Sequence, residues 1–348
     1  MNQITIIGAG PVGLWTAIQL KNRQPKLPIQ IFERHHRGEY LRGHVLQIEW
    51  LSTQAYARWN NTSAEKELIA AITGTVPTSA IESKLLRYAN DLGVVVKPEQ
   101  EIVDPTSIED ALPECQHFIA ADGARSRMRT ALLGPDAVET DKLQYVIEVK
   151  YLERGSQRAL GMVATHGLNQ NLNSMLIEHV GRPDLGRTPI TARFFVSPKI
   201  YNQFPGATFA QPLTWPNYVL PEPLVHDIRA YFDLRKKKFG ADRVEDSERI
   251  TKLQLSVYAA KKFAVAHRSR SWFLAGDAAM GLPYFRSLNA GMIVGSQLAG
   301  ILTNGVLNDE SKRLAYNAVR VPDKAAEYAI AGAKNFALNA YNGLRRLL

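Results

Sequence analysis

Apolar residues along this chain recur with two different periods, and the alternation between them lays out a wound α/β scaffold. Residues 3–7 form a short apolar run, after which Leu14, Ala17, Ile18 and Leu20 recur at helical spacing. A second apolar run at 29–32 completes one βαβ unit, whose crossover is expected to be right-handed in a parallel sheet. A polar, basic loop follows. Residues 79–92 predict a helix with Ile81, Leu85, Leu86 and Ala89 on one face, 93–96 a buried strand, and 118–121 a short strand that stops at Asp122-Gly123. From about Gln144 the texture becomes β-rich: segments 145–152, 161–165, 175–180 and 191–196, divided by Gly, Pro and Asn, predict a second, mixed or antiparallel sheet. Residues 224–238 predict a helix, 253–258 a return strand, 271–275 a further strand of the first sheet, and 290–304 and 311–347 helices. The expected organisation is a first domain built from 1–75 and 76–143, a β-rich domain over 144–258, and a return over 259–348 to the first domain with added helices.

Composition narrows the class without naming a chemistry. A chain of 348 residues with 45% hydrophobic and 22% charged residues can bury a substantial core and has none of the bias of disordered or repeat sequences. Its one cysteine, Cys115, excludes an internal disulfide, and no spacing of ligands suggests a metal. The expectation is a cytoplasmic protein without a cleaved signal or transmembrane segment. A net charge of +9 favours anionic partners, with basic clusters at 34–42, 125–129, 235–238 and 261–270. No nucleic-acid motif or aromatic platform accompanies them, so nucleic acid is not expected. Residues 235–238 read most simply as a solvated helix face.

The chemistry begins at Gly8-Ala9-Gly10-Pro11-Val12-Gly13, which follows the first strand and opens the first helix. Glycines at this spacing let backbone N–H groups approach a pyrophosphate while the helix N-terminus favours its negative charge. Glu33, at the end of the second strand, stands where an acid accepts hydrogen bonds from ribose hydroxyls. Two further segments follow apolar strands: Asp122-Gly123-Ala124-Arg125, with more arginines behind it, and Gly276-Asp277-Ala278-Ala279, succeeded by Pro283 and Asn289-Ala290-Gly291.

In this order and at these distances the three segments resemble the class A, single-component FAD-dependent flavoprotein monooxygenases, the group that includes para-hydroxybenzoate hydroxylase and kynurenine monooxygenase. Leu41-Arg42-Gly43-His44-Val45-Leu46-Gln47 is similar to the family's arginine-containing loop, and Tyr316, Arg320 and Pro322 match its return helix, where they read as structural. The resemblance implies an α/β fold of the GR2 flavoprotein type: a Rossmann-like FAD-binding domain, an interleaved mixed-sheet substrate domain and a helical C-terminal part. It implies that Gly8, Gly10, Pro11, Val12, Gly13, Glu33, Arg34, Arg42, Asp122, Arg125, Gly276, Asp277, Pro283, Asn289 and Ala290 bind FAD. It also implies NADPH or NADH as a transient electron donor, and molecular oxygen that adds to the flavin as a hydroperoxide and oxygenates a small, aromatic organic substrate. The helix opening near Asn289-Ala290-Gly291 is expected to turn backbone N–H groups toward the flavin.

The chain departs from the family at Met280, where a histidine is common, and at Phe285-Arg286-Ser287-Leu288-Asn289, where a Gly-Gln-Gly segment is common. Arg286 reads either as a charge facing the cofactors or as a solvent-facing side chain. Alternation places Thr191, Arg193 and Phe195 on one sheet face, either a substrate floor or a solvated surface, with Met280 as pocket lining. His44, Tyr284 and Asn289 are the catalytic candidates, the first two for proton exchange. Competing functions are a MICAL-like oxidase acting on protein side chains, a flavin reductase without oxygenation, and a non-catalytic flavin-binding interaction protein; the Trp-x-Trp pair of flavin halogenases is missing. Residues 336–348 read as an amphipathic helix that either packs on the body or lies on a membrane surface. Oligomeric state is left open by the sequence.

Overall fold

The structure, a computed structural model, describes residues 3–36, 45–208, 211–215, 219–283 and 286–344. Its elements run in chain order as β1 (Gln3–Ile7), α1 (Pro11–Arg23), β2 (Ile29–Phe32), β3 (Val45–Ile48), α2 (Trp50–Gln54), α3 (Ser63–Ile72), β4 (Gly74–Pro77), α4 (Thr78–Asp91), β5 (Val95–Lys97), α5 (Pro105–Ala111), β6 (Cys115–Ala120) and α6 (Arg127–Leu133). They continue as β7 (Val138–Arg154), α7 (Met162–Asn171), β8 (Met175–Val180), β9 (Arg187–Val196), α8 (Pro198–Gln203), α9 (Glu222–Phe239) and β10 (Arg249–Ala260). The last are β11 (Ala264–His267), β12 (Arg270–Leu274), a 3₁₀ turn at Gly276–Ala278, β13 (Met280–Gly281), α10 (Ser287–Leu302) and α11 (Asp309–Leu344). Two compact units result, 1–141 with 257–329, and 142–256 with 330–348. The boundary between the units falls within α11.

The first unit is organised by a six-stranded sheet of order β11-β12-β6-β1-β2-β5. β1, β2, β5, β6 and β12 run parallel, and β11 pairs antiparallel with β12. Ile4, Ile6, Ile31, Phe118, Ile119 and Phe273 are buried, as strands covered on both faces require, and each such side chain contributes about 1.5–3 kcal/mol of transfer free energy. α1 and α10 approach closely because Gly295 has no side chain: a Cβ there would stand 2.5 Å from Thr16 Oγ1. Trp15 Nε1 donates to Ser296 Oγ across the same contact at 2.9 Å. At the base of the sheet His117 is 2% exposed, with Nε2 2.8 Å from Asp309 Oδ1.

Burial lowers the pKa of His117 against the opposing hydrogen bond from Asp309, with Lys312 and Arg313 adding to the depression. The folded chain therefore binds this proton less readily than the unfolded chain, whose imidazole titrates near 6.5. The stability it supports is complete above that pH and is lost as pH falls through it. Urea unfolding of His117→Gln should accordingly lose less stability than wild type between about pH 7 and about pH 5; parallel slopes would show that another group carries the dependence.

β13-β10-β7-β9-β8 form the second, five-stranded sheet, with β7, β8 and β9 antiparallel neighbours. Alternation sends Ile147, Val149, Tyr151, Ile190, Ala192 and Phe194 into a core completed by Leu224, Ile228 and Tyr231 of α9. Val146, Met175 and Phe195 face the other way and meet Leu253, Leu255, Leu338 and Tyr341. Here two sequence expectations are corrected. Residues 161–165 begin α7 rather than a strand, since Met162–Asn171 has no two-residue alternation and Asn169 is held from both sides: its Oδ1 accepts from Leu176 N and its Nδ2 donates to Leu176 O. Residues 235–238 are not wholly a solvated face either, because Arg235 turns inward to Glu153 and Glu178. No described helix is long and apolar enough to cross a membrane.

Candidate functional site

The carboxyl ends of β1, β2 and β6 open on a cleft of about 500 Å³ in the first unit, lined by Gly8, Gly10, Glu33, Arg34, Asp122 and Arg125 among others. Gly8 adopts φ +107°, and a Cβ there would stand 2.4 Å from Ala121 O. At Gly13 it would stand 2.1 Å from Gly8 O, so the turn closes only on glycine. Gly10 is the N-cap of α1 and places no side chain over its first turn, whose N–H groups are thus left for an anion. Glu33 is held in place from both sides, Oε2 accepting from Ala9 N at 2.8 Å and Oε1 from His35 N at 3.0 Å. Each oxygen keeps a second lone pair for an outside hydroxyl. Leu86, Val96, Pro98 and Ile102 give the cleft an apolar wall. This donor set fits an adenine dinucleotide: helix N–H groups and guanidinium groups for phosphate, a fixed carboxylate for ribose, apolar surface for the base.

Asp122 and Asp277 are tied into the scaffold more firmly than their motifs foretold. Asp122 accepts from Ser126 Oγ and from Met128 N, holding the start of α6. Arg129, buried, donates to the carbonyls of Ala124, Asp277 and Ala278, and so joins the two motifs across 148 and 149 residues of sequence. Tyr258 OH donates to Asp277 O at 2.8 Å beneath the Arg129 guanidinium. Burial, reinforced by Asp277, pushes the Tyr258 pKa upward, so the phenol stays a donor. Neither Arg129 as a bridge nor Tyr258 was distinguished by sequence, since nothing in local spacing reports a partner so distant.

Several of the motif residues meet one another around the start of α10. Val12 packs its side chain against Gly276 and Gly291, where a Cβ would lie 3.1 and 2.6 Å away. Pro11 is the buried first residue of α1 and Pro283 is buried. α10 opens at Ser287, and Ala290 N already donates to Arg286 O at 3.0 Å, so that N–H is committed to the helix rather than offered outward. Asn289 Oδ1 accepts from Glu49 N at 3.0 Å while Nδ2 donates to Gln47 O at 2.8 Å, latching the end of β3. Arg286 forms a two-pronged pair with Glu327 of α11, at 3.0 and 2.7 Å. Arg42, His44, Tyr284 and Phe285 lie outside the described residues.

In the second unit Arg193 Nε donates to Glu148 Oε2 at 2.8 Å, and Glu148 is buried beside Lys150. Phe195 is packed under Leu338 and Tyr341. Met280 is buried in β13, where it pairs with Ala259. Tyr316 OH donates to Leu274 O at 2.7 Å, a structural bond within the first unit.

No family model and no curated protein sequence matches this chain. Solved structures do. The anhydrotetracycline hydroxylase OxyS from Streptomyces rimosus is 17% identical, with 99% of this chain and 71% of that chain covered and a TM-score of 0.59. CtdE, solved in complex with FAD and a substrate, is 12% identical over 96% of this chain and 88% of that one, with a TM-score of 0.62. CabE, an aromatic hydroxylase from angucycline biosynthesis, is 16% identical over 99% and 74%, with a TM-score of 0.58. The chain therefore has the fold of the class A flavin-dependent hydroxylases that its three motifs resemble.

Proposed function

We propose that this protein is an FAD-dependent monooxygenase that draws electrons from NADPH or NADH and oxygenates a small aromatic molecule. The observation that carries the reading is the cleft, where a glycine turn too tight for any Cβ, an uncapped helix start and a carboxylate fixed by two backbone N–H groups converge on one strand edge. In a Rossmann-like mode of binding, the first turn of α1 and the guanidinium groups of Arg34 and Arg125 hold the pyrophosphate, and Glu33 orients a ribose. Asp277, its backbone gripped by Arg129 and Tyr258, faces the remaining hydroxyls. When bound, FAD supplies hydride acceptance and oxygen activation that side chains do not. The fold shared with aromatic hydroxylases supports an aromatic substrate.

Purified protein supplied with FAD should oxidise NADPH or NADH faster when an aromatic acceptor is added, with oxygen consumed and hydroxylated product formed. Donor oxidation with no product across a phenol and aromatic-acid panel would favour a reductase, and no donor oxidation under any condition would remove the enzymatic reading.

A further inference from the structure

We propose that the first unit carries a second ligand site, for a small organic carboxylate with an apolar body, at the end of the sheet opposite the FAD cleft. The amino ends of β1, β2 and β6 open there on a cavity of about 590 Å³, flanked by the ends of α1 and α10 and the start of α11. Its lining is apolar at Ile4, Leu27 and Leu302 and cationic at Lys26 and Lys312, and among the described residues it includes no aspartate or glutamate. All of it belongs to the first unit.

Lys312 points to the charge of the ligand. It is 8% exposed, yet its Nζ lies 4.0 Å from Asp309 Oδ1, beyond hydrogen-bond reach, and donates a hydrogen bond to none of the described residues. A buried ammonium group is costly unless an acceptor reaches it. Asp309 is itself drawn to His117, whose Nε2 stands 2.8 Å from the same oxygen. The carbonyl ends of α1 and α10, which would oppose an anion, are capped from within the chain: Leu20 O accepts from Gln24 N, Ala299 O from Thr303 N and Oγ1, and Thr303 O from Gln24 Nε2. Asn304 Oδ1 accepts from Val306 N and Leu307 N, which leaves its Nδ2 as a third donor on the lining. Two ammonium groups and one amide suit the two oxygens of a carboxylate and fall short of the acceptors of a phosphate. The floor of Ile4, Leu27 and Leu302 takes the apolar body.

The test is calorimetric titration of the full chain with octanoate, beside octanol as the uncharged body and acetate as the charge without a body. Octanoate should bind saturably, one per chain, and octanol and acetate each about tenfold more weakly. Lys312→Met should cut octanoate affinity about tenfold and leave octanol binding unchanged, with thermal unfolding as the check on folding. Should that variant fail to fold, Lys26→Met at the exposed rim replaces it, with a loss of about threefold that shrinks at high salt. The titration is run with and without added FAD, and the same octanoate affinity is expected in both, so a chain that takes up no FAD would overturn the reading of the cleft and leave this one standing. Absence of saturable octanoate binding, equal binding of octanol or acetate, or undiminished octanoate binding by the folded variant would each overturn the proposal; so would binding abolished by FAD, which would place octanoate in the cleft.

Discussion

Gly13→Ala should cost this protein about 3 kcal/mol of stability and, in the fraction that folds, about 100-fold in FAD affinity. The added methyl would meet a backbone carbonyl, Gly8 O, at 2.1 Å, and a backbone atom cannot rotate away as a side chain can. Relief requires α1 to slide from β1 or the turn to open, and either displaces the N–H groups that face the cleft. Gly161→Ala is the control, because a Cβ there has nothing within 4 Å and its φ is not in the left-handed region. Thermal unfolding and an FAD titration of both variants read the two effects. If Gly13→Ala matched wild type in both, the close approach of α1 to β1 could not be what shapes the cleft.

Arg235→Ala should be the most destabilising change in the second unit, by about 3–5 kcal/mol. Arg235 and Glu153 are each 1% exposed; Nε and NH2 donate to the two Glu153 oxygens at 2.7 Å, and NH1 reaches Glu178. Tyr151 and Tyr231 complete the network, donating to Glu153 and Glu178 at 3.0 and 2.7 Å. Although burial alone would lower it, the Glu153 bonds raise the Arg235 pKa, so the cation persists at every ordinary pH. Removing it strands two buried carboxylates. Replacing Arg235, Glu153 and Glu178 together by apolar residues of similar volume should recover most of the loss. A small deficit in Arg235→Ala, or a triple replacement that recovers nothing, would contradict this account.

How much of this was legible in the sequence follows from the distance over which each feature is determined. The βαβ start was readable because its strands are buried on both faces and its glycines answer a local steric demand at Gly8 and Gly13. The stretch 45–77 was read as a loop, yet it holds β3, α2, α3 and β4. A local signal was present there, for Thr62 and Glu65 form a capping box at the start of α3, but the surrounding polarity masked it. Arg235 could not be told from its three lysine neighbours, because which of them turns inward depends on Glu153 and Glu178 in other strands. The same holds for Arg129, Tyr258, Asn289 and Arg286, whose partners are fixed only when the strand edges meet. Motif spacing finds backbone-determined parts of a site; it is silent on the side chains that brace them.

The account stands on FAD occupying the cleft at the ends of β1, β2 and β6, and titration of flavin-free protein with FAD tests it most directly. Saturable uptake of one FAD per chain is predicted, weakened about tenfold by Glu33→Gln, which removes one charge-assisted bond to ribose. A folded wild-type protein that takes up no FAD, or takes it up equally well with Glu33 replaced, would contradict it.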